Sequence, residues 1–254
     1  DYYNGILKGK LASLCPGTSI IENATGLSPF NIQKSAFVLR NTFEHYPEGS
    51  VHIICVQSEY SEKSPHVIVQ AKGHFFIGAD NGIFHLLLNS EPDRIIELNS
   101  FRGKEKINEA LVFAEAAASI IKDSDISAAG KEKKTIKEMI PFRATIEENA
   151  ISGSIIFIDS YGNAISNITY DLFNRVFGNK KFQIAIRSNS NLIDHISPSY
   201  NNESIGELLA VFNSLDLLEI GINGTNASEL MSLQAGEIVR IAAPGSNKKP
   251  GMLF

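Results

Sequence analysis

The hydrophobic pattern of the chain changes near residue 150, and this change constrains the fold more than any other feature of the sequence. Residues 1–122 alternate between helix-like and strand-like stretches, which is the pattern of a layered α/β domain. From Gly153 onward, short strand-like runs are separated by turn residues, which is typical of a small barrel or sandwich. We therefore expect an α/β domain over residues 1–150 and an all-β, barrel-like domain over residues 151–254.

The first domain has the pattern of helices packed on both sides of a sheet. Apolar residues at helical spacing predict helices at 6–14, 31–43 and 108–121. Strand patterns occur at 19–23, 51–56, 67–70 and 74–77. The last two runs flank Lys72-Gly73, which predicts a hairpin. Because the run 51–56 is almost continuously apolar, we expect α/β/α layers around a mostly parallel central sheet.

The second half of the chain is expected to begin after a connector. Residues 123–150 are rich in charge and poor in apolar side chains, so we expect most of them to cross the surface. Strands of the second domain are expected at 154–159, 182–186, 217–222 and 238–242.

Composition excludes several classes of protein. The net charge of −5 argues against a protein whose main task is to grip nucleic acid. No apolar run reaches the roughly 18 residues of a membrane span, so we expect neither nucleic acid nor membrane as a partner. The two cysteines, Cys15 and Cys55, stand in apolar runs. We expect them to be reduced core thiols, which favours a cytoplasmic location.

The motifs of several enzyme classes are absent. The sequence has no Gly-rich phosphate loop, zinc-protease helix or nucleophile elbow. No group of His, Asp and Glu has the spacing of metal ligands, so we expect no metal site. His52 and His74 lie in predicted strands, where we expect structural roles for both.

Stretches along nearly the whole chain resemble one family, in the family's order. They are 1–9, 37–39 with 46–52, 76–83 (Phe-Ile-Gly-Ala-Asp-Asn-Gly-Ile), 113–118, 157–168 (Phe-Ile-Asp-Ser-Tyr-Gly-Asn-Ala-Ile-Ser-Asn-Ile) and 213–214 with 218–220 and 222–224. The family is that of the S-adenosylmethionine hydroxide adenosyltransferases, which split S-adenosylmethionine with water, and their chlorinase and fluorinase relatives.

The resemblance implies a fold, an assembly and a substrate. It implies an α/β N-terminal domain and a barrel-like C-terminal domain, in agreement with the hydrophobic pattern. It also implies a homotrimer, with the nucleoside bound between the N-terminal domain of one subunit and the C-terminal domain of its neighbour. S-adenosylmethionine would be the substrate or ligand, and no cofactor is implied. The family's first strand and its aspartate-rich loop should precede Asp1, so we expect that strand to be missing here.

The family's ligand-binding residues can be carried over at matching positions. In the C-terminal domain, Asp159 would bind the methionine amine and Ser214 its carboxylate. Asn163, Asn223 and Gly224 would lie at the adenine.

In the N-terminal domain, Asp1 would face the amino-acid end or the ribose. Asn81 would lie near the reacting carbon, and Phe30 beside the sugar. Without the resemblance, 80–82 and 161–163 would be read as ordinary turns and Phe30 as a core residue.

The water-positioning set departs from the family pattern. Gln57 stands at the family's aspartate, Ser64 at its first arginine, and Arg102 at its histidine; a shifted alignment places Asn108 there instead. Glutamine cannot accept a proton at neutral pH, and general acid–base catalysis is typically worth about 10²–10⁴-fold in rate. We therefore expect the catalytic positions Gln57, Ser64 and Arg102 to be degenerate.

Residues of the same loop could replace the lost set. His66 is the most reactive of them, because the ordinary pKa of histidine lies near neutrality. Glu59, Tyr60 and Glu62 are further candidates, although all could belong to a solvated surface loop. The loop lacks the small hydroxyl-rich cradle of the halogenases, so halogenation is not expected.

Three functions stay open on the sequence alone. The first is hydrolysis of S-adenosylmethionine to adenosine and methionine through a divergent water site. The second is a catalytically degenerate protein that binds S-adenosylmethionine or adenosine as a sensor or interaction module. The third is a different ligand in a reshaped pocket. We favour the first, because the motif order is kept along the chain.

Overall fold

The computed structural model describes residues 2–27, 30–99, 108–123 and 125–245, the last range without the side chains of 188–191. The chain divides into two compact units, Asp1–Pro141 and Phe142–Phe254. The division falls earlier than residue 150 because the short strand Thr145–Glu147 pairs with the strand Ala150–Ile158. These residues of the expected connector are therefore part of the second unit's sheet.

Within its described ranges, the first unit has four helices and a five-stranded sheet. The helices are α1 (Tyr2–Leu14), α2 (Ile32–Arg40), α3 (Ile83–Leu88) and α4 (Glu109–Asp123), with 3-10 turns at Phe43–His45 and Ser127–Ala129. The strands are β1 (Val51–Ile53), β2 (His66–Ala71), β3 (His74–Ala79), β4 (Arg94–Leu98) and β5 (Gly130–Glu132). They lie in the order β1-β3-β2-β4-β5.

The side chains of β2 alternate between two core clusters, one on each face of the sheet. Val67 and Val69 pack in a core cluster with α2 and α3, whereas Ile68 packs in a second cluster with α1 and α4. Successive side chains of a strand point to opposite faces, so both faces of this strand are apolar and covered. The α/β/α layering is confirmed.

The direction of the strands differs from the expected mostly parallel sheet. Among the described strands only β1 and β3 pair in parallel, while β2–β3, β2–β4 and β4–β5 are antiparallel. The reason is local. Lys72 and Gly73 both have positive φ (52° and 76°), the geometry of a tight hairpin turn, so β2 must return beside β3. The hairpin itself is confirmed.

Two smaller expectations were wrong. Residues 19–23 form no strand in the structure. Cys15 is buried as expected, but Cys55 is exposed, just beyond the end of β1. An apolar run in the sequence does not show at which residue the strand ends. Here β1 ends at Ile53, and the Cys55 thiol lies beyond it.

His52 and His74 form a buried pair, as expected of structural histidines. Their Nε2 and Nδ1 atoms lie 3.2 Å apart, and Phe43 and Phe76 pack against both rings. Burial, together with a smaller contribution from the neighbouring His74, lowers the pKa of His52 to about 4. The neutral ring is therefore the form that the fold holds.

This depressed pKa predicts a loss of stability in acid. Below pH 6.5 the unfolded chain binds a proton at His52 that the folded protein excludes until about pH 4. We expect the free energy of unfolding to fall by about 2 kcal/mol from this residue between pH 7 and pH 5. Urea unfolding at both pH values measures it. His52→Gln, which can still donate to His74, should lose that part of the drop; an equal drop in both proteins would contradict the prediction.

The second unit consists, in the part that the structure describes, of antiparallel strands with two short helices. The strands are β6 (Thr145–Glu147), β7 (Ala150–Ile158), β8 (Ala164–Thr169), β9 (Gln183–Ile186), β10 (Ser188–Ile193), β11 (Leu208–Phe212), β12 (Leu217–Ile222) and β13 (Ile238–Ala242). The helices are α5 (Tyr170–Val176) and α6 (Ala227–Leu230), with a 3-10 turn at Tyr200–Asn202.

These strands form the barrel-like sheet that the sequence predicts. The order is β10-β9-β13-β7-β8-β12-β11, and β6 pairs with β7. The long strand β7 pairs with β13 through its first half and with β8 through its second. Ser197, beyond β10, donates its backbone N–H to Ala210 O of β11 at 2.8 Å, which brings the two edges together.

Across the ranges that the structure describes, no helix is long and apolar enough to cross a membrane.

Candidate functional site

In the second unit, Asp159 and Asn163 are brought together by the turn between β7 and β8. Asp159 Oδ1 accepts the backbone N–H groups of Tyr161 and Asn163 at 2.9 and 2.8 Å. Its Oδ2 accepts Asn163 Nδ2 at 3.1 Å. A carboxylate that accepts successive N–H groups is the usual lock of a tight turn. Asp159 therefore builds the turn as well as presenting a partly exposed negative charge.

Gly162 lets this turn dock on the start of α6. Its φ is +84°, and a Cβ added there would lie 1.8 Å from Asn226 Oδ1. Asn226 Oδ1 caps α6 by accepting Glu229 N–H at 3.0 Å, and Gly162 O accepts Ser228 N–H at 2.9 Å. Only glycine satisfies both the backbone angle and the close approach.

Tyr161 lies at the tip of the turn with 78% of its surface exposed. The neighbouring Asn163 is buried and bound to Asp159. An exposed ring beside fixed polar groups is suited to a flat, polar-edged ligand such as a nucleobase, because the ring offers a stacking face. Tyr161 stands in the middle of the 157–168 stretch, but the sequence pattern does not show that its ring is exposed.

A buried hydrogen-bonded group lies under the turn. Glu219 accepts Tyr200 Oη at 2.7 Å and Asn213 Nδ2 at 2.9 Å. A Cβ on Gly221 would lie 2.4 Å from Tyr200 Oη and 2.7 Å from Asn163 Oδ1, so both groups pack on this glycine. Burial, with the carboxylate of Glu219, raises the pKa of Tyr200 well above its ordinary value. The phenol therefore stays a neutral donor.

Asn223 and Gly224 lie at the same end of β12 as the turn, but Ser214 does not. Asn163 faces Gly221 because Ala164 pairs with Ile220. Asn223 and Gly224 follow directly after β12, and Asn223 Nδ2 donates to Glu203 O at 2.8 Å. Ser214 precedes β12, which at about 3.3 Å per residue spans roughly 20 Å. Within this unit the structure thus groups Asp159, Asn163, Asn223 and Gly224 and leaves exposed Ser214 apart.

In the first unit, Gln57 and Phe30 line one surface depression. Gln57 has a φ of 44°, and its Nε2 donates to Phe30 O at 3.3 Å. The Phe30 ring itself is 77% exposed, so it is not a core residue. The depression measures about 390 Å³ and is lined by Phe30, Asn31, Ile32, Gln33, Gln57 and Met139.

Asn81 is buried and holds the backbone at Gln57 by hydrogen bonds. Its Nδ2 donates to Val56 O and Gln57 O at 3.0 and 3.1 Å, and its Oδ1 accepts Ile83 N–H at 3.2 Å. The amide is therefore engaged in tying the Gln57 loop to the start of α3. In this arrangement Asn81 shapes the candidate water site through the backbone of Gln57.

His66, the candidate substitute for the lost base, is fully buried. Its Nε2 lies 2.8 Å from Ser58 O, and the rings of Phe113 and Tyr60 pack edge-on against it. A carbonyl oxygen only accepts, so Nε2 carries the proton. Burial lowers the pKa of His66, which keeps the ring neutral. His66 thus holds the Ser58 loop through this hydrogen bond. Because the ring is buried, it has no access to a ligand.

The remaining positions of the degenerate set have local structural roles or lie outside the described residues. Ser64 closes a tight turn by exchanging backbone hydrogen bonds with Ser61 at 3.3 and 3.0 Å. Asn108, the alternative histidine position, caps α4 with its Oδ1 accepting Leu111 N–H at 3.3 Å. Asp1 and Arg102 lie outside the described residues.

The arrangement favours binding over proton transfer. Gln57 Oε1 can accept a hydrogen bond from a water molecule but cannot take its proton at neutral pH. Among the side chains that the structure describes, no three His, Cys, Asp or Glu residues come together as metal ligands could.

Two family models match the chain. Residues 1–130 match the N-terminal domain of the SAM hydroxide adenosyltransferases, and residues 153–240 match their C-terminal domain. Among relatives is a protein of Methanocaldococcus jannaschii named (R)-S-adenosyl-L-methionine hydrolase, 24% identical over 91% of this chain and 87% of its own. Proteins of the same name from Thermus thermophilus and Salinispora arenicola are 25% and 22% identical, over 95% and 96% of this chain and 94% of each relative.

Solved structures share the fold. An uncharacterized conserved protein from Thermotoga maritima superposes with a TM-score of 0.82 at 21% identity, over 95% of both chains. A conserved hypothetical protein from Thermus thermophilus gives 0.72 at 24% identity, over 95% of this chain and 94% of the other. The α/β unit followed by a barrel-like β unit is thus confirmed as this fold. With both of its domains matched by the family models, the chain belongs to the S-adenosylmethionine hydroxide adenosyltransferase family.

Proposed function

We propose that the protein hydrolyses S-adenosylmethionine to adenosine and L-methionine. The water oxygen attacks the ribose C5′, the C5′–S bond breaks with its electron pair passing to sulfur, and the water proton leaves to solvent. The positive charge passes from sulfur to the attacking oxygen and leaves with the proton, so it is dispersed in the transition state, and a site that excludes bulk water favours the step.

The observation that carries the proposal is the turn from Asp159 to Asn163. It joins a carboxylate, a buried amide and an exposed ring in one rigid group, as a ligand with an ammonium group and a purine would require. Relatives named as (R)-S-adenosyl-L-methionine hydrolases supply the substrate and the reaction. Asp159 would bind the amine, and Asn163, Asn223 and Gly224 the nucleoside.

Water would be oriented in the first unit without a strong base. Gln57 is held by Asn81 through its backbone and by Phe30 O through its amide nitrogen, which leaves its Oε1 to accept a water hydrogen. An oriented water can react by proximity alone, at a rate lower than that of an enzyme with a general base. We therefore expect slow turnover.

A second candidate function is binding without turnover. It is favoured by Gln57 and Ser64, which lack the charges of the family pattern, and by the burial of His66. In that case the protein would act as a sensor or interaction module for S-adenosylmethionine or adenosine.

One experiment separates the two functions. The protein is incubated with S-adenosylmethionine at enzyme concentrations near those of the substrate, and adenosine and methionine are followed by chromatography. Equal amounts of both products above the uncatalysed background support hydrolysis. Calorimetric binding of S-adenosylmethionine without either product supports the binding protein. Absence of both binding and products would refute both proposals.

The assignment of Asp159 to the amine gives a selective prediction. Asp159→Asn should weaken binding of S-adenosylmethionine by about 10- to 100-fold, since a hydrogen bond to a charged group contributes about 1.5–3 kcal/mol. Binding of adenosine, which has no amine of this kind, should weaken by much less, because it feels only the lost hydrogen bond from Asn163 Nδ2 to the former Oδ2. Calorimetry with both ligands measures this. Asp171→Asn, on an exposed residue of the same unit, is the control; equal losses for both ligands would contradict the assignment.

We also propose that the protein forms a homotrimer, as the family resemblance implies. Light scattering coupled to size-exclusion chromatography should give three times the 27.8 kDa chain mass. A cytoplasmic location stays a prediction of the sequence.

A further inference from the structure

The segment from Lys133 to Met139, here termed the strap, is tied to the loop that carries Asn81. Asp80 is almost fully buried, and both of its oxygens accept from the strap. Oδ2 accepts Lys133 Nζ at 2.9 Å, and Oδ1 accepts Lys137 N–H at 2.8 Å. A buried carboxylate with two such donors is a strong and directional anchor for a segment without regular structure.

The far end of the strap is fixed at Met139. Met139 O lies 2.9 Å from His85 Nδ1, a ring nitrogen that must donate to a carbonyl. A Cβ on Gly82 would lie 2.9 Å from both Cβ and Cε of Met139, so the thioether lies flat on this glycine. Met139 also packs on the core between the sheet and α2 and α3.

Asp80 and Asn81 therefore each hold one part of the lining of the same depression. Asp80 fixes the strap, which contributes Met139 to the lining. Asn81 fixes the loop that contributes Gln57 to the same lining. The distance between the Gln57 and Met139 sides is thus set by two consecutive residues after β3.

We propose that Met139 is a specificity-determining residue of the candidate ligand site and that Asp80 is a positioning residue acting through it. This inference rests on the proposed function, because it takes S-adenosylmethionine as the ligand. Met139 forms an apolar part of the wall around the ligand, in the same lining as Gln57, and Asp80 keeps that wall in place by holding the strap.

The chemistry of the wall suits this ligand. A methionine side chain is unbranched and polarisable, so it fills an irregular gap and displaces water without adding a competing charge. A sulfonium compound reacts faster where water is excluded. Replacing Met139 with a smaller residue should widen the depression and admit water.

A double-mutant cycle tests the coupling between the two residues. Dissociation constants for S-adenosylmethionine are measured by calorimetry for Asp80→Asn, Met139→Ala and the double variant. Each single change should weaken binding about tenfold, because the loss of one methylene contact in a hydrophobic pocket already costs about 10-fold or more. If Asp80 acts through Met139, the double variant should also lose about tenfold; independent residues would give about a hundredfold loss.

Conservative variants separate this role from a general loss of structure. Met139→Leu keeps the volume and should retain affinity within about threefold, since volume-conserving swaps are well tolerated. Asp93→Asn, the same change at an exposed aspartate of the same unit, should leave affinity unchanged. A hundredfold loss in the double variant, or wild-type affinity in Met139→Ala, would overturn the inference.

A measurement without ligand keeps this inference separate from the proposed function. If the wild-type protein does not bind S-adenosylmethionine, the proposed function has failed, and hydrogen exchange decides the remaining point. Asp80→Asn should speed amide exchange in the strap, which Asp80 holds, and should leave exchange in the Gln57 loop, which Asn81 holds, nearly unchanged. Unchanged exchange in the strap would show that Asp80 does not fix Met139 in this depression.

Discussion

Replacing Gln57 with Asp, Ser64 with Arg and Arg102 with His in one variant is expected to raise the rate of adenosine formation by about 10²–10⁴-fold. The three changes restore the residue types that the family pattern has at these positions. A carboxylate at 57 could accept a hydrogen bond and a proton from the attacking water, and the arginine and histidine would hold its charge and orientation.

The backbone at Gln57 is compatible with this change. Its φ of 44° lies in the left-handed region, which aspartate adopts more readily than most residues. Aspartate cannot donate to Phe30 O as Gln57 Nε2 does. Part of the gain therefore depends on the arginine at 64 drawing the new carboxylate towards itself.

A matched variant isolates the carboxylate. The control carries Asn at 57 with the same Arg and His changes, so it has nearly the same shape but no base. Adenosine is measured by chromatography in wild type, the triple variant and this control. A gain in the triple variant only would identify the lost base as the cause of slow turnover. Equal rates in all three would show that the water site lies elsewhere.

The layers of the fold could be predicted because they follow from short-range patterns. Val67, Ile68 and Val69 are apolar without a break, so both faces of β2 must be covered whatever the topology. Strand direction could not be predicted in this way. It depends on which strands become neighbours, and β4 pairs with β2 across the intervening α3.

The predicted site residues show the same limit. Groupings within one turn could be predicted from the sequence, and groupings across a strand could not. Asp159 and Asn163 are four residues apart in one turn, so the sequence alone brings them together. Ser214 is near Asn223 in sequence, yet the extended strand between them carries the two to opposite ends. Sequence proximity misleads wherever a strand intervenes.

The sequence also does not show which polar side chains are buried. His66 begins β2 and follows a charged loop, so its ordinary pKa made it the best substitute base by chemistry. The structure places the ring between Phe113 and Tyr60 with Nε2 engaged by Ser58 O. Asp80 and Met139 were missed for a related reason, because each makes its contacts with residues more than fifty positions away in the chain, Asp80 with Lys133 and Lys137, and Met139 with His85.

Gly162→Ala is expected to have the largest effect on binding in the second unit. The added Cβ would lie 1.8 Å from Asn226 Oδ1, and the φ of +84° would itself be strained for alanine. Either the turn or the cap of α6 must move. A shift that breaks the hydrogen bonds of Asp159 and Asn163 to the ligand, about 1.5–3 and 0.5–1.5 kcal/mol, can cost about 10²-fold in affinity. We therefore expect at least that loss in affinity for S-adenosylmethionine, with a fall of about 3 kcal/mol in the free energy of unfolding.

Gly236→Ala separates the collision from the backbone strain. Gly236 has a similar φ of +95° in the same unit, but a Cβ there would meet nothing within 4 Å. It should cost only about 1 kcal/mol, the scale of a strained φ, and leave affinity unchanged. Urea unfolding and calorimetry with S-adenosylmethionine measure both variants. If Gly162→Ala cost no more than Gly236→Ala, the turn could yield without penalty, and the rigid grouping of Asp159, Tyr161 and Asn163 would not be the basis of recognition.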